Sequence, residues 1–304
     1  MSNKIPTKAS KENLNIGICT TVFAVGAVAG VIIRLMQMVS YIDPETGFYK
    51  GYGDWIHLIF YVILAVNILF FCSRCYLSAD VKKIGIGNDS HRTAAVGTRL
   101  FAVSLLWDCF YSFFMGIYNA SGSSTGYTDI MKSGTLPMCL QSIFALLSAV
   151  YFFILAPDFS KGTAKAYKRK LLATAPVCWA GARLIFRFLR QISFVQVSDL
   201  LLELVMIAFM VMFFMALAQT ASGVYKDMYK WRIPAFGMSA ALIAAVISVP
   251  RLVMTVFNSS LINGDHPFSV VDFVFVIFIL TLMAKIKEDA QRPAESQEQE
   301  NKAE

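Results

Sequence analysis

The apolar residues of this chain gather into long runs, and that pattern limits its fold more than any other feature. The runs cover 14–40, 55–77, 99–118, 136–156, 171–192, 197–221, 233–257 and 268–285. Each is about twenty residues long, the length with which an α-helix crosses ~30 Å of hydrocarbon at 1.5 Å per residue. Composition agrees, since 57% of the 304 residues are apolar and 15% charged, against about half and a quarter in a soluble domain. The predicted fold class is therefore an all-α integral membrane protein of about eight transmembrane helices. The expected divisions are a tail over 1–13, a membrane domain over 14–286 and a disordered tail over 287–304. That last segment, from Glu288 onward, has almost nothing to bury.

Basic residues set the expected orientation, because Lys and Arg beside short loops stay on the cytoplasmic side. Alternate connections are basic: Lys4, Lys8 and Lys11; Arg74, Lys82, Lys83, Arg92 and Arg99; Lys161, Lys165, Lys168, Arg169 and Lys170; Lys226, Lys230 and Arg232; then Lys285, Lys287, Arg292 and Lys302. The intervening loops carry only Lys50, Lys132 and Arg190. Both termini are thus expected in the cytoplasm. The first run is too long for the core of a signal peptide and reads as a retained helix. Short loops and the lack of a soluble domain favour a bacterial plasma membrane. There, the acceptor patterns Asn119-Ala-Ser121 and Asn258-Ser-Ser260 would carry no sugar.

The net charge of +7 is distributed over cytoplasmic turns rather than concentrated in a patch. The expected partner is the lipid bilayer with its anionic headgroups, not nucleic acid. Six cysteines lie in or beside apolar runs, without a disulfide spacing. Cys72 and Cys75 share one helix face but lack a second pair, and His57, His91 and His266 fall at different places, so no metal is expected. The Gly-Ile-Gly within the turn 78–98 follows no strand and lacks the third glycine of a dinucleotide fingerprint, so no cofactor is expected either. No serine or cysteine has a paired His and Asp at its own depth, and the chain shows no catalytic constellation.

An internal repeat runs through the bundle. Three odd-numbered runs carry a late Arg-Leu pair, at Arg34, Arg183 and Arg251. Each is followed 16 to 21 residues later by an aspartate opening the next run, at Asp54, Asp199 and Asp272. The second hairpin departs, with Trp107-Asp108 and Thr135 in those places. Four related helical hairpins are predicted. Small residues at close-packing spacing, such as Gly26 and Gly30 or Gly237, Ala241 and Ala245, place the first, fifth and seventh helices in the interior. The bulky even-numbered helices are expected to face lipid.

Charges inside a membrane are functional candidates once depth is considered. Arg34 and Arg251 lie about 27 Å along their helices, where a long side chain can snorkel to the interface. Arg183 and Arg187 lie deeper, at about 18 and 24 Å. Glu203, about 10 Å into the returning helix, falls between them, so an ion pair across this hairpin is expected. The three aspartates stand where a carboxylate can accept free N–H groups of a first turn. Asp108 sits near the midplane, about 14 Å along its helix, where no cap is available. These residues predict a small transporter for an anionic solute. In this reading Arg34, Arg183, Arg187 and Arg251 attract the anion while Asp108 and Glu203 balance charge. The competing readings are a sensor or accessory subunit, in which the same network holds the bundle together, and a lipid-modifying enzyme.

Overall fold

The computed structural model describes residues 8–42, 49–77, 90–122, 135–162, 169–189, 197–222, 230–257 and 268–303. Among them the chain forms eight α-helices and no strand. These are α1 (Lys8–Met36), α2 (Gly53–Leu77), α3 (Arg92–Gly122), α4 (Thr135–Lys161), α5 (Ala175–Leu189), α6 (Val197–Ala221), α7 (Arg232–Phe257) and α8 (Val270–Ala303). Each apolar run has become one helix. A π-helical turn, Gln37–Tyr41, extends α1, and a 3-10 turn, Leu172–Thr174, leads into α5. Gly51 before α2 and Gly162 after α4 take positive φ, 60° and 64°. A side chain at either position would meet backbone strain, and Gly162 ends α4 in the manner usual for a helix C-terminus.

Six helices are long and apolar enough to cross a membrane. Two of the eight expected spans do not meet that standard. Helix α5 has 15 residues, about 22 Å of rise, and residues 190–196 beyond it are outside the described part. Helix α8 is long, but its charge-free stretch is confined between Asp272 and Lys285. Both are nonetheless packed into the bundle, α5 against α4 and α6, α8 against α3 and α7. Helix α8 also stays helical through Ala303, where a disordered tail over 287–304 is expected from polarity. Its Glu, Gln, Ala and Lys residues are good helix formers, a property that polarity does not report. Beyond its apolar stretch the helix is anchored, with Glu288 3.0 Å from His91 and the buried Lys285 over the Phe159 ring. Helix α3 begins at Arg92, shortening the turn expected over 78–98. The Gly-Ile-Gly and the acceptor pattern at 258–260 are outside the described residues.

The expected division between interior and exposed helices holds for α7, α5 and α2 but not for α1. Helix α7 is the hub, packed against α1, α2, α6 and α8, with 67% of its apolar stretch buried against 17% for α2. Helix α1 instead turns Val25, Val28, Ile32 and Val39 outward, presenting its glycines inward as a narrow stripe. A Cβ on Gly26 would meet the Asn67 side chain of α2, and one on Gly30 would meet Val246 of α7. Small residues report how closely one neighbour approaches, not burial all round.

The bulky even helices are needed inside for a second reason, an aromatic cluster that forms the centre. Phe101 of α3 stacks on Phe278 of α8 at 5.0 Å and 9° and meets Phe152 of α4 edge-on at 5.0 Å. Phe214 of α6 and Trp179 of α5 complete the contact. All five rings are 1% exposed or less. Edge-to-face and offset pairs at such distances add to the packing gained from the rings themselves. The cluster holds five helices in register, and Trp179 carries its consequence outward. Its indole N–H is the one polar atom of a ring buried among hydrocarbons, so it needs an acceptor.

Candidate functional site

That acceptor is Asp108. The Trp179 Nε1–H donates to Asp108 Oδ2 at 2.8 Å, and Gln141 Nε2 of α4 donates to the same oxygen at 3.0 Å. Gln141 Nε2 also lies 3.0 Å from Ser112 Oγ. Asp108 thus joins α3 to α4 and α5 through neutral donors. Its Oδ1 has no hydrogen bond among the described residues.

The arginines gather where odd helices end and even helices begin. Arg183 of α5 meets Asp272 of α8 through two parallel bonds, Nη1 to Oδ1 at 2.5 Å and Nη2 to Oδ2 at 2.6 Å, and packs over Trp179. This fork-on-fork geometry is the strong form of an arginine–carboxylate pair. A second network runs across the bundle. Arg34 of α1 is ion-paired with Asp199 of α6 and donates to Gln37 Oε1 at 2.8 Å and to Tyr49 at 3.2 Å. Arg251 of α7 is ion-paired with Glu203 of α6 and lies 3.9 Å from Asp199. Arg187 of α5 reaches the other oxygen of Glu203 through its Nε, at 3.0 Å.

Several expectations change here. Arg34 and Arg251 do not snorkel; they are 3% and 5% exposed and turn inward, because a buried carboxylate offers a closer partner than the interface. Glu203 is paired across the α5–α6 hairpin, but with Arg187 rather than Arg183. Asp199 and Asp272 serve as ion-pair partners rather than N-caps. Each lies one residue pair inside its helix, and it is Ser269 Oγ that accepts the Asp272 N–H, at 3.4 Å. Asp54, the third of the series, is exposed. Every arginine of the repeat therefore pairs outside its own hairpin.

A cleft of about 270 Å³ opens beside this network, between α3, α4, α5 and the start of α8. Asp108, Ser112, Gln141, Arg183 and Arg187 give it polar walls, and Trp107 and Tyr111 stand at its exposed edge. Of the six residues singled out from sequence, the cleft brings together Asp108, Arg183 and Arg187. Glu203 stands behind Arg187, while Arg34 and Arg251 are not in the lining. Sequence reasoning missed Gln141, Ser112 and Trp179; Ser112 and Trp179 lie four residues from Asp108 and Arg183 on the same helices, a one-turn spacing that could have found them, whereas Gln141 belongs to another helix. The roles of Asp199 and Asp272 were discoverable from a charge census, since four arginines at one end of a bundle call for more acids than Asp108 and Glu203.

The census also shows where charge is left over. The network of Arg34, Asp199, Arg251, Glu203 and Arg187 holds three cations and two anions. Arg183 and Asp272 cancel. Among the described residues that line the cleft, Asp108 is the acid left to balance the remaining positive charge. Among the described residues the two terminal amino groups of Arg187 have no hydrogen-bond partner, although its side chain is only 13% exposed.

These features define the class: a multi-pass α-helical membrane protein with a charged cleft at one end of its bundle. Comparison with family models, with characterised proteins and with solved structures finds no match for the chain.

Proposed function

We propose that the protein is a small transporter that takes an anionic solute into the α3–α4–α5–α8 cleft. The observation that carries this reading is Arg187, ion-paired with Glu203 through Nε at 3.0 Å and lining a cavity it shares with Asp108 and Arg183. A guanidinium fixed by one edge presents the geometry that recognises carboxylate, phosphate or sulfonate groups. The cavity volume limits the part of the solute inside it to a handful of heavy atoms, below the range of drug-sized pockets. A polar cleft inside a lipid-facing bundle supports solute binding. Arg187→Gln is expected to reduce uptake of the solute at least tenfold per folded molecule in cells or vesicles containing the protein. The measurement is accumulation compared in cells with and without the protein, followed by the variant. Unchanged accumulation in Arg187→Gln would rule out this site.

The accessory or sensor reading draws support from Arg34, Arg251 and Asp199, which tie α1, α6 and α7 together away from the cleft. On that reading Arg187→Gln lowers recovery of a partner protein and leaves solute levels alone.

The proposed orientation places both termini and the lysine-rich connections in the cytoplasm of a plasma membrane, so the cleft faces outward. Reporter fusions after Asp89, Lys165 and Glu288 are expected to report cytoplasm, and fusions after Gly47, Gly126 and Gly264 the outside. Reversal at any one loop breaks this topology and the eight-span count with it.

A further inference from the structure

Asp108 differs from the other carboxylates at this end of the bundle. Asp199, Glu203 and Asp272 each meet an arginine, whereas Asp108 meets only the neutral donors Trp179 and Gln141. Both of those bonds fall on Oδ2. A proton can therefore be added at Oδ1 without breaking an ion pair or losing a hydrogen bond. The same proton would cost either of the other two networks a charge-assisted contact.

The charge count gives the proton a consequence. With Asp108 ionised, four arginines face four carboxylates and the set is neutral. With Asp108 protonated, the set carries one uncompensated positive charge in a medium where such charge is expensive. The groups that face Asp108 do not alter that count. They are Arg183 and Arg187 from α5, Asp272 from α8 behind Arg183, and the Tyr111 phenol of its own helix, while α4 contributes the uncharged Gln141.

We propose that Asp108 is the proton-carrying group of the cleft, and that one proton and one anionic group enter it together. The proton comes from water at the cleft mouth and forms an O–H bond at Oδ1. The anion settles against the terminal amino groups of Arg187, and no electron is transferred. Proton and anion then favour each other's binding by the same factor, as linkage requires. This assignment rests on the anion-binding reading above and specifies its coupling ion.

The test uses the full chain in nanodiscs of zwitterionic lipid, with methanesulfonate as probe because it stays a monoanion across the working pH range. Wild-type affinity is expected to fall roughly tenfold per pH unit above the range where Asp108 loses its proton. Asp108→Asn, which keeps an oxygen for Trp179 and Gln141, is expected to bind the probe with pH-independent affinity. An indicator dye in weak buffer should register uptake of one proton per anion bound by the wild type, a reading that does not depend on the variant folding. Binding that requires Arg187 but takes up no proton, or that keeps its pH slope in Asp108→Asn, overturns the proton assignment alone. No binding by the wild type at any pH, or binding that Arg187→Gln leaves intact, overturns the anion site and the proton assignment together.

Discussion

Asp272→Ala is expected to destabilise the folded protein by about 3–5 kcal/mol, the usual consequence of removing one member of a buried ion pair. The loss comes less from the missing attraction than from Arg183, which is left 7% exposed with two forked donors unmatched. Water can approach it only from the cleft side, and a neighbouring anion, Asp108, is already engaged by Trp179 and Gln141. Some rescue by Asp108 is available, which places the effect toward the lower end of that range. Removing the charge on both sides, with Arg183→Leu and Asp272→Leu together, should recover most of the stability, because a well-packed apolar pair replaces a desolvated ionic one. Denaturation in detergent of the four proteins in the cycle measures this directly. If the two single losses add, the bidentate pair contributes nothing and the link between α5 and α8 must be sought elsewhere.

The membrane architecture was legible because hydropathy reports the solvent, and a run of apolar residues has few other solutions at this length. Helix ends were less legible. Arg92–Arg99 extends α3 and 287–303 extends α8 because backbone hydrogen bonds continue into polar residues that hydropathy excludes. Packing was legible where one residue type decides it, as in the alanine-rich face of α7. It was illegible where aromatic rings from five helices converge on Phe101. The candidate site divided along the same line. Asp108, Arg183, Arg187 and Glu203 stand out as charges within apolar runs, which a single sequence displays. Their partners depend on which helices touch: the expected pair across the hairpin left Glu203 between Arg183 and Arg187, and the bundle gives Arg187 to Glu203 and Arg183 to Asp272.

Chain spacing explains part of that difference. It puts Arg34, Arg183 and Arg251 late in their helices and Asp199 and Asp272 early in theirs, so these side chains meet at one end of the bundle. Once there, distance decides between partners. Arg34 reaches across to α6, and Arg251 reaches the same helix from α7. Helix α6 therefore supplies both acids of the larger network from one face, at Asp199 and Glu203, four residues apart and one turn above each other. Trp179 has a comparable double role, because the ring that fixes the aromatic centre also aims a donor at Asp108. The cleft is thus positioned by the core rather than by a loop, which suits a site that must hold its geometry.

Glu203→Gln is expected to have the largest effect of any single substitution in the bundle, exceeding that of Asp272→Ala. Glu203 is 2% exposed and receives two arginines from opposite sides, Arg251 from α7 and Arg187 from α5. Neutralising it leaves Arg34, Arg187 and Arg251 with Asp199 as their nearest acid. Arg187 and Arg251 then both lose their shared partner, whereas Asp272→Ala deprives Arg183 alone. Loss of at least the roughly 3–5 kcal/mol of a broken buried pair follows, enough to unfold a marginal protein. Partial recovery is expected when Arg251→Leu or Arg187→Leu is added, since each removes one stranded charge. The control is Arg183→Leu combined with Glu203→Gln, which should be additive to within about 0.5 kcal/mol because the two side chains share no bond. Unfolding free energies for these cycles decide between two maps of the network. Strong coupling of Glu203 to Arg187 and Arg251, with little to Arg183, supports the pairing described here. Coupling to Arg183 as strong as to Arg187 would restore the simple pair within the α5–α6 hairpin, free Asp272 for another role, and remove the charge count on which the proton at Asp108 depends.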